Sequence, residues 1–234
     1  GLASGAQMQG ENALYLDDKV YRSGLIGVAL SGNIGMDTIV AQGCRPIGIP
    51  VKISKCSGTL LSEMNGQAPL ELLESINEGL DENDKRLVQT SLFLGIEMDP
   101  LKDDPQQGDF LIRNIMGADR ASGGIQIGAM LREGQLVQFH LRDKDMSAED
   151  LKLVLNRYKT SENSKKASGA LLFSCMGRGQ YLYGKPNHDS DMFRDQIGDI
   201  ALGGFFCNGE IGPVGKTTFL HGYTSSFGIF HPTH

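Results

Sequence analysis

The chain has 234 residues, enough for one large or two small domains, and 31 of them, about 13%, are glycine, against about 7% in an average protein. The glycines follow no three-residue period, and 8 prolines with 40% hydrophobic residues exclude a collagen-like or low-complexity chain. The 22 basic and 28 acidic residues give a net charge of −6, which argues against a nucleic-acid partner. No apolar run approaches the roughly 18 residues that cross a bilayer, so we expect no membrane partner.

The four cysteines, Cys44, Cys56, Cys175 and Cys207, lack the spacing of a redox or zinc motif. They form no Cys-x-x-Cys pair, and no histidine lies at the matching distance in sequence. The sequence therefore predicts neither a metal site nor another cofactor. Reduced thiols are the default in the cytosol, and we expect a cytoplasmic protein.

Residues 24–41 contain the first predicted structural element. Two β-prone runs flank Ser31-Gly32-Asn33 there, a pattern that predicts a β-hairpin. The next element is an amphipathic helix over residues 69–80, which has a proline at an early position and a glycine near its end.

A second hairpin is predicted over residues 124–141, where apolar and polar residues alternate on both sides of Arg132-Glu133-Gly134. The stretch Ser147-Ala-Glu-Asp150 then resembles a capping box. Leu151 and Tyr158 belong to an apolar face with helical spacing that follows it. We expect this helix to cover a sheet.

The remaining predicted elements are mostly strands. The strands are at 51–56, 92–98, 110–116, 170–175, 200–207 and 217–230, and two shorter helices are at 83–91 and 189–197. Because helices and strands do not alternate one for one, a doubly wound parallel sheet is disfavoured. The predicted fold class is α+β, with mainly antiparallel sheets covered by a few amphipathic helices.

A weak internal similarity appears when the chain is shifted by 199 positions. The shift superimposes Gly5, Gly10 and Glu11 on Gly204, Gly209 and Glu210. Both copies place a Gly-Glu turn and a loop before a long strand, which predicts a pseudo-repeat. Residues 1 to about 30 would end the first repeat, so we expect the chain to be part of a longer protein.

Three glycine-rich runs carry a resemblance to a known family. They are Gly169-Ala-Leu-Leu-Phe-Ser-Cys-Met-Gly-Arg-Gly179, Gly203-Gly-Phe-Phe-Cys-Asn-Gly-Glu-Ile-Gly-Pro-Val-Gly215 and Phe219-Leu-His-Gly-Tyr-Thr224. Together they resemble the C-terminal half of the FIST domain (F-box and intracellular signal transduction). Gly43-Cys-Arg-Pro-Ile-Gly48 resembles the end of the FIST N-terminal half, which predicts a boundary between residues 1–48 and 49–234.

The resemblance implies a sensory domain that binds a small polar ligand in an intracellular signalling protein, with amino acids or their derivatives as suggested ligands. It also implies a relation to F-box adaptors of ubiquitin ligases. A downstream signalling or ubiquitin-ligase partner would then lie on another segment or another chain.

Two candidate site residues lie at the end of an apolar strand. A guanidinium near Cys175 could lower the pKa of its thiol and make it reactive, whereas a buried, inert thiol is the alternative. Arg178 lies between Gly177 and Gly179, which allow close approach of a ligand carboxylate or phosphate. A structural salt bridge, with Glu210 as a candidate partner, is the other interpretation.

Three more candidates follow in the next two motifs. Asn208 and Glu210 flank Gly209 in a predicted turn, where the carboxylate would either hold a ligand ammonium or satisfy its own backbone. His221 lies in a strand pattern beside Gly222 and would be either a ligand contact or a hydrogen-bonded core residue.

Three functions follow from these residues. In the leading hypothesis Arg178 and Glu210 bind the two charges of an amino acid, and no residue is catalytic. The first alternative is an enzyme with Cys175 as its nucleophile. The second is a protein-interaction module of an F-box-type adaptor, which predicts exposed apolar surface.

Overall fold

The structure is a computed structural model with two compact units. It describes residues 1–6, 8, 10–102, 104–105, 108–214 and 217–234, without the side chain of Val214. The sheet unit comprises residues 1–41 and 151–234, and the barrel unit comprises residues 42–150. None of the helices in these described ranges is long and apolar enough to cross a membrane.

The elements are numbered in chain order. The strands are β1 (Leu14–Leu16), β2 (Lys19–Tyr21), β3 (Gly35–Ala41), β4 (Arg45–Ser57), β5 (Leu60–Met64), β6 (Leu92–Glu97), β7 (Phe110–Asp119), β8 (Gly124–Ile127), β9 (Leu136–Leu141), β10 (Gly169–Cys175), β11 (Ala201–Cys207), β12 (Glu210–Val214), β13 (Thr217–His221) and β14 (Ser225–His231). The helices are α1 (Pro69–Glu78), α2 (Glu82–Thr90), α3 (Lys144–Lys159), α4 (Gln180–Tyr183) and α5 (His188–Ile197), with a 3-10 turn at Glu162–Lys166.

The barrel unit is a closed six-stranded barrel with the strand order β4-β5-β8-β7-β6-β9. All of its neighbouring strands are antiparallel. Alternate side chains fill the interior, including Ile53, Leu94, Val137 and Phe139. Apolar residues of α1 and α2 pack against the same core.

The sheet unit is built on a four-stranded sheet with the order β11-β10-β14-β3. β10 and β11 are parallel, in a register that runs from Gly169 opposite Ala201 to Cys175 opposite Cys207. β14 is antiparallel to both β10 and β3. The hairpins β1-β2 and β12-β13 complete the unit.

Residues of α3 and α5 join one face of this sheet in a single apolar cluster. Leu151 and Leu155 of α3 are fully buried in it, and Phe193 of α5 stacks on Phe227 of β14 with 5.2 Å between ring centroids. The prediction that the helix after residue 147 covers a sheet agrees with this packing.

The α+β fold class and its mainly antiparallel sheets are confirmed. The predicted cap of α3, Ser147, was wrong by four residues: α3 begins at Lys144, because the carboxylate of Asp143 accepts the Met146 N–H at 2.7 Å and caps the helix. Ser147 lies inside the helix instead, and its hydroxyl donates to the Gly43 carbonyl. The pseudo-repeat stays a prediction.

Both predicted hairpins were wrong. Residues 24–30 are in no strand, and β3 pairs with β14. β8 pairs with β5 and β7, whereas β9 pairs with β4 and β6. Closure of the barrel explains the second error, because it pairs β8 with the preceding strand β7 and with the distant β5, and pairs β9 with the distant strands β4 and β6.

Candidate functional site

Ends of three strands meet at one edge of the sheet in the sheet unit. β10 and β11 end there because they are parallel, and β14 begins there because it is antiparallel to β10. The segment after β10 ties them together: Met176 N–H donates to the Cys207 carbonyl at 3.0 Å, and Cys175 N–H donates to the Thr224 carbonyl at 2.9 Å. The three glycine-rich motifs therefore converge in space.

Arg178 and Asp189 form a buried salt bridge at this edge. The first turn of α5 carries Asp189, and Arg178 Nε and Nη2 donate to its two carboxylate oxygens at 2.8 and 3.2 Å. Arg178 is 1% exposed and Asp189 6%. A charge this deeply buried requires a partner, so each residue fixes the position of the other.

Four further side chains contact this pair: Ser174, Ser225, His188 and Tyr183. We call these six residues together the Asp189 cluster. The two serine hydroxyls donate to one Asp189 oxygen at 3.2 and 2.5 Å, and His188 Nδ1 lies 3.1 Å from the other. Tyr183 stacks on His188, with 3.5 Å between ring centroids, and its hydroxyl accepts from Arg178 Nη2.

These donors determine the charge of Asp189. Burial by itself would raise the pKa of the carboxyl group, but the hydrogen bond from His188 and the charge of Arg178 hold that pKa well below its ordinary value. Asp189 is therefore a carboxylate at neutral pH. Because a carboxylate oxygen can only accept, the hydrogen of its bond with His188 lies on Nδ1.

A pocket of about 480 Å³ adjoins the Asp189 cluster. It lies beside β10 and β11 and the first turns of α4 and α5, a place typical of ligand sites in strand-helix-strand units. The lining residues are Leu172, Ser174, Gly179, Gln180, Pro186, Asn187, His188, Asp189, Ser190, Leu202, Gly203, Gly204, Phe205 and Phe206.

Two glycines allow the backbone to form this pocket. Gly204 has φ +145°, and a Cβ there would lie 1.9 Å from the Leu172 carbonyl oxygen. Gly179 has φ +64°, and its Cβ would contact the Phe206 ring at 3.0 Å. Any side chain at either position would therefore be strained and would displace a wall of the pocket.

A second buried cluster contains Glu210, which is 0% exposed. One carboxylate oxygen accepts from the Thr224 N–H and hydroxyl at 3.1 and 2.9 Å, and the other accepts from the Cys207 thiol at 3.2 Å. Burial and the hydrogen bond to Glu210 raise the pKa of Cys207 to about 12. This thiol is therefore unreactive at neutral pH.

The five predicted site residues gather near the same edge of the sheet, but none of them is among the described residues that line the pocket. Arg178 reaches the pocket through Asp189, and Glu210 belongs to the second cluster. Cys175 is half-buried, and Asn208 is exposed. His221 is buried and donates through Nε2 to the Gly212 carbonyl at 3.0 Å. Their role in ligand binding stays a prediction.

Sequence reasoning missed Asp189, His188 and Phe206. Asp189 lies 11 residues after Arg178, and an acidic residue in the first turn of a helix is favoured by the helix dipole alone. The sequence around Asp189 therefore does not distinguish it from an ordinary acidic residue at the start of a helix. The alternative interpretation of Arg178 as half of a salt bridge was the useful one, although its buried partner is Asp189.

Metal binding has no support in the described ranges of the chain, where no three His, Cys, Asp or Glu side chains lie close enough together to hold an ion.

Comparison with known protein families gives two matches. The FIST N domain matches residues 1–67, and the FIST C domain matches residues 70–213.

Relatives come from bacteria and eukaryotes. An uncharacterized protein of Mycobacterium bovis is 40% identical over 230 residues, which are 98% of this chain and 59% of the relative. An F-box/LRR-repeat protein of Arabidopsis thaliana is 25% identical over 85% of this chain and 43% of its own length. F-box only protein 22 of Homo sapiens is 30% identical over 39% of this chain and 27% of its own length. The chain thus spans about three fifths of the bacterial relative.

Proposed function

The chain belongs to the FIST family, and from this premise we propose that it is a sensory module that binds a small molecule and transmits its presence to a signalling partner. The observation that carries the proposal is the 480 Å³ pocket beside the Asp189 cluster. Its volume lies within the roughly 300–1,000 Å³ of ligand pockets.

The Asp189 cluster supports the proposal because its hydrogen bonds join the elements around the pocket to one another without a ligand. Arg178 ties the segment after β10 to α5, and Ser225 ties the start of β14 to the same carboxylate. A preformed pocket loses little conformational entropy on binding. A ligand that contacts α5 and β11 together would then stabilise both elements, which is a change that a partner can detect.

A variant that fills the pocket tests this function. Ser190 lines the pocket on α5, so Ser190→Trp should block it, whereas Ser168→Trp places the same ring at an exposed position of the sheet unit that is not part of the lining. In a thermal-shift screen of amino acids, organic acids and uncharged aromatic compounds, at least one compound should stabilise the wild type and Ser168→Trp but not Ser190→Trp. A screen in which no compound separates the two variants would refute the pocket as the binding site.

A second candidate function is protein interaction. Tyr15 and Val20 are cross-strand neighbours in the β1-β2 hairpin and are 68% and 53% exposed, and Leu25 and Val28 are 92% and 86% exposed. Exposed apolar residues at this density are typical of interaction surfaces, and two of the relatives are named as F-box proteins.

This second function predicts that a photo-crosslinking amino acid at position 25 captures a defined partner in cells. The same amino acid at position 133, an exposed glutamate of the barrel unit, is the control. Equal capture from both positions would argue against a specific interaction surface.

A further inference from the structure

The pocket has few charged groups available to a ligand. Its only ionisable lining residues in the described chain are His188 and Asp189, and the lowered pKa of Asp189 keeps this residue a carboxylate at neutral pH. The binding of a charged ligand would therefore depend on whether Asp189, or a charged residue behind it, can still accept a new partner.

Asp189 cannot accept another hydrogen bond without losing one that it already makes. Its two oxygens together offer about four acceptor positions, and five donors already occupy them: two nitrogens of Arg178, one of His188 and the hydroxyls of Ser174 and Ser225. A ligand ammonium would have to displace one of these bonds and would compete with the full charge of Arg178.

The charged residues behind the pocket are equally committed. The Arg178 side chain has no exposed surface, and its nitrogens donate to Asp189, Tyr183 and the Tyr223 carbonyl. Glu210 is fully buried and bonded to Thr224 and Cys207. A zwitterion would lose hydration in the pocket and would find no opposite charge there. We therefore expect its affinity to be lower than that of an uncharged ligand of the same size.

The N-terminus of α5 does not provide a favourable position for a ligand carboxylate. Its dipole favours a negative group, but Asp189 and Asp191 both lie in that first turn. Their charges oppose an incoming carboxylate at the start of α5, which lines the pocket.

What the pocket does offer is apolar contact with a few neutral hydrogen-bonding groups. Leu172, Leu202, Pro186 and Phe206 provide carbon surface. Besides Asp189, the polar side chains of the lining are the amides of Gln180 and Asn187, the hydroxyls of Ser174 and Ser190 and the imidazole of His188. This combination fits a ring-sized apolar body with a single polar end.

We propose that the ligand of this pocket is an uncharged molecule with a compact apolar body, of aromatic-ring size, and one hydroxyl, carbonyl or amide end. The inference rests on the proposed small-molecule function and narrows it. The sequence predicted ion pairs with the two charges of an amino acid, whereas this inference assigns recognition to apolar contacts and hydrogen bonds with an uncharged ligand.

Four compounds that share a phenyl ring test the charge requirement: 2-phenylacetamide (uncharged), phenylacetate (anionic), phenethylamine (cationic) and L-phenylalanine (zwitterionic). Calorimetry with the full chain should give a Kd for 2-phenylacetamide about tenfold or more below those of the three charged compounds. Ser190→Trp should abolish this binding, and Ser168→Trp should retain it. Phe206→Ala, which removes an exposed wall residue, provides a second test if Ser190→Trp does not fold.

The outcomes separate the two proposals. If L-phenylalanine or phenylacetate binds more tightly than 2-phenylacetamide and Ser190→Trp prevents it, the small-molecule function stands and the uncharged class is overturned. If none of the four compounds binds and no compound of the wider screen distinguishes Ser190→Trp from Ser168→Trp, both proposals are overturned.

Discussion

Asp189 is the residue on which the geometry of the site depends most. Asp189→Asn removes the carboxylate and leaves Arg178 buried without a counter-charge, so we expect the free energy of unfolding at pH 7 to fall by about 3–5 kcal/mol. Urea denaturation measures the change. Asp191→Asn on the same helix breaks only an exposed pair with Arg194, at 3.4 Å, and should cost less than about 1 kcal/mol.

The stability difference between wild type and Asp189→Asn should also depend on pH. The pKa of Asp189 is depressed in the folded state, so its contribution to stability is complete above the unfolded pKa, about 3.9, and is lost as pH falls towards the folded value. The stability difference between wild type and Asp189→Asn should therefore shrink below about pH 4. A difference that stays constant down to pH 2 would show that the carboxylate charge is not what stabilises the fold.

At the residue scale, the sequence indicated the right region but not the contacts. Arg178 and Glu210 were singled out because of the glycines around them, and both proved to be buried and bonded within the protein. Arg178 pairs with Asp189 of α5, and Glu210 accepts from Thr224, just before β14, and from Cys207 at the end of β11. Asp189 and Thr224 are brought near only by the tertiary structure. A charged residue between glycines fits a ligand site or a salt bridge equally well until its partner is known.

At the element scale, the close approach of β10 and β11 depends on Gly204. Gly204→Ala would place a Cβ against the Leu172 backbone at a positive φ, and we expect at least about 2 kcal/mol of destabilisation and loss of ligand binding. The matched control is Gly203→Ala, whose Cβ would meet the Leu171 side chain at an ordinary 3.7 Å. Thermal unfolding of the two variants makes the comparison, and equal melting temperatures would contradict the predicted close packing.

The barrel unit contains its own pH-sensitive group. His140 in β9 is 1% exposed, and burial lowers its pKa to about 4. Because the unfolded chain takes up this proton near pH 6.5, its contribution to stability is complete above that pH and is lost as pH falls towards 4, by roughly 3 kcal/mol in total. His140→Gln should remove this part of the pH dependence, whereas the exposed His234→Gln should leave it unchanged in urea titrations from pH 7 to pH 4.

Local signals located the elements better than their pairing. Apolar spacing found α1 and α3, and Pro69 marks the first residue of α1, because helix signals depend on neighbours in sequence. The strands β8 and β9 were also found, but their partners were not. β9 and one side of β8 pair with strands that are distant in sequence, and the turn-like Arg132-Glu133-Gly134 carries no information about those contacts.

At the scale of the whole molecule, the described polar site and the barrel core lie in different units. The described pocket and both buried clusters lie in the sheet unit, within residues 172–225. The barrel unit contributes a closed core around Ile53, Leu94 and Phe139. The boundary of the barrel unit at residues 42 and 150 was not predicted, since the family resemblance suggested a division near residue 48.

Hydrogen exchange of the full chain tests the central claim that the sheet-unit pocket binds a small molecule. With saturating 2-phenylacetamide, we expect slower exchange in β11 and in the first turns of α4 and α5, no change in the barrel strands, and no protection in Ser190→Trp. Protection confined to residues 42–150, or protection that persists unchanged in Ser190→Trp, would contradict this account.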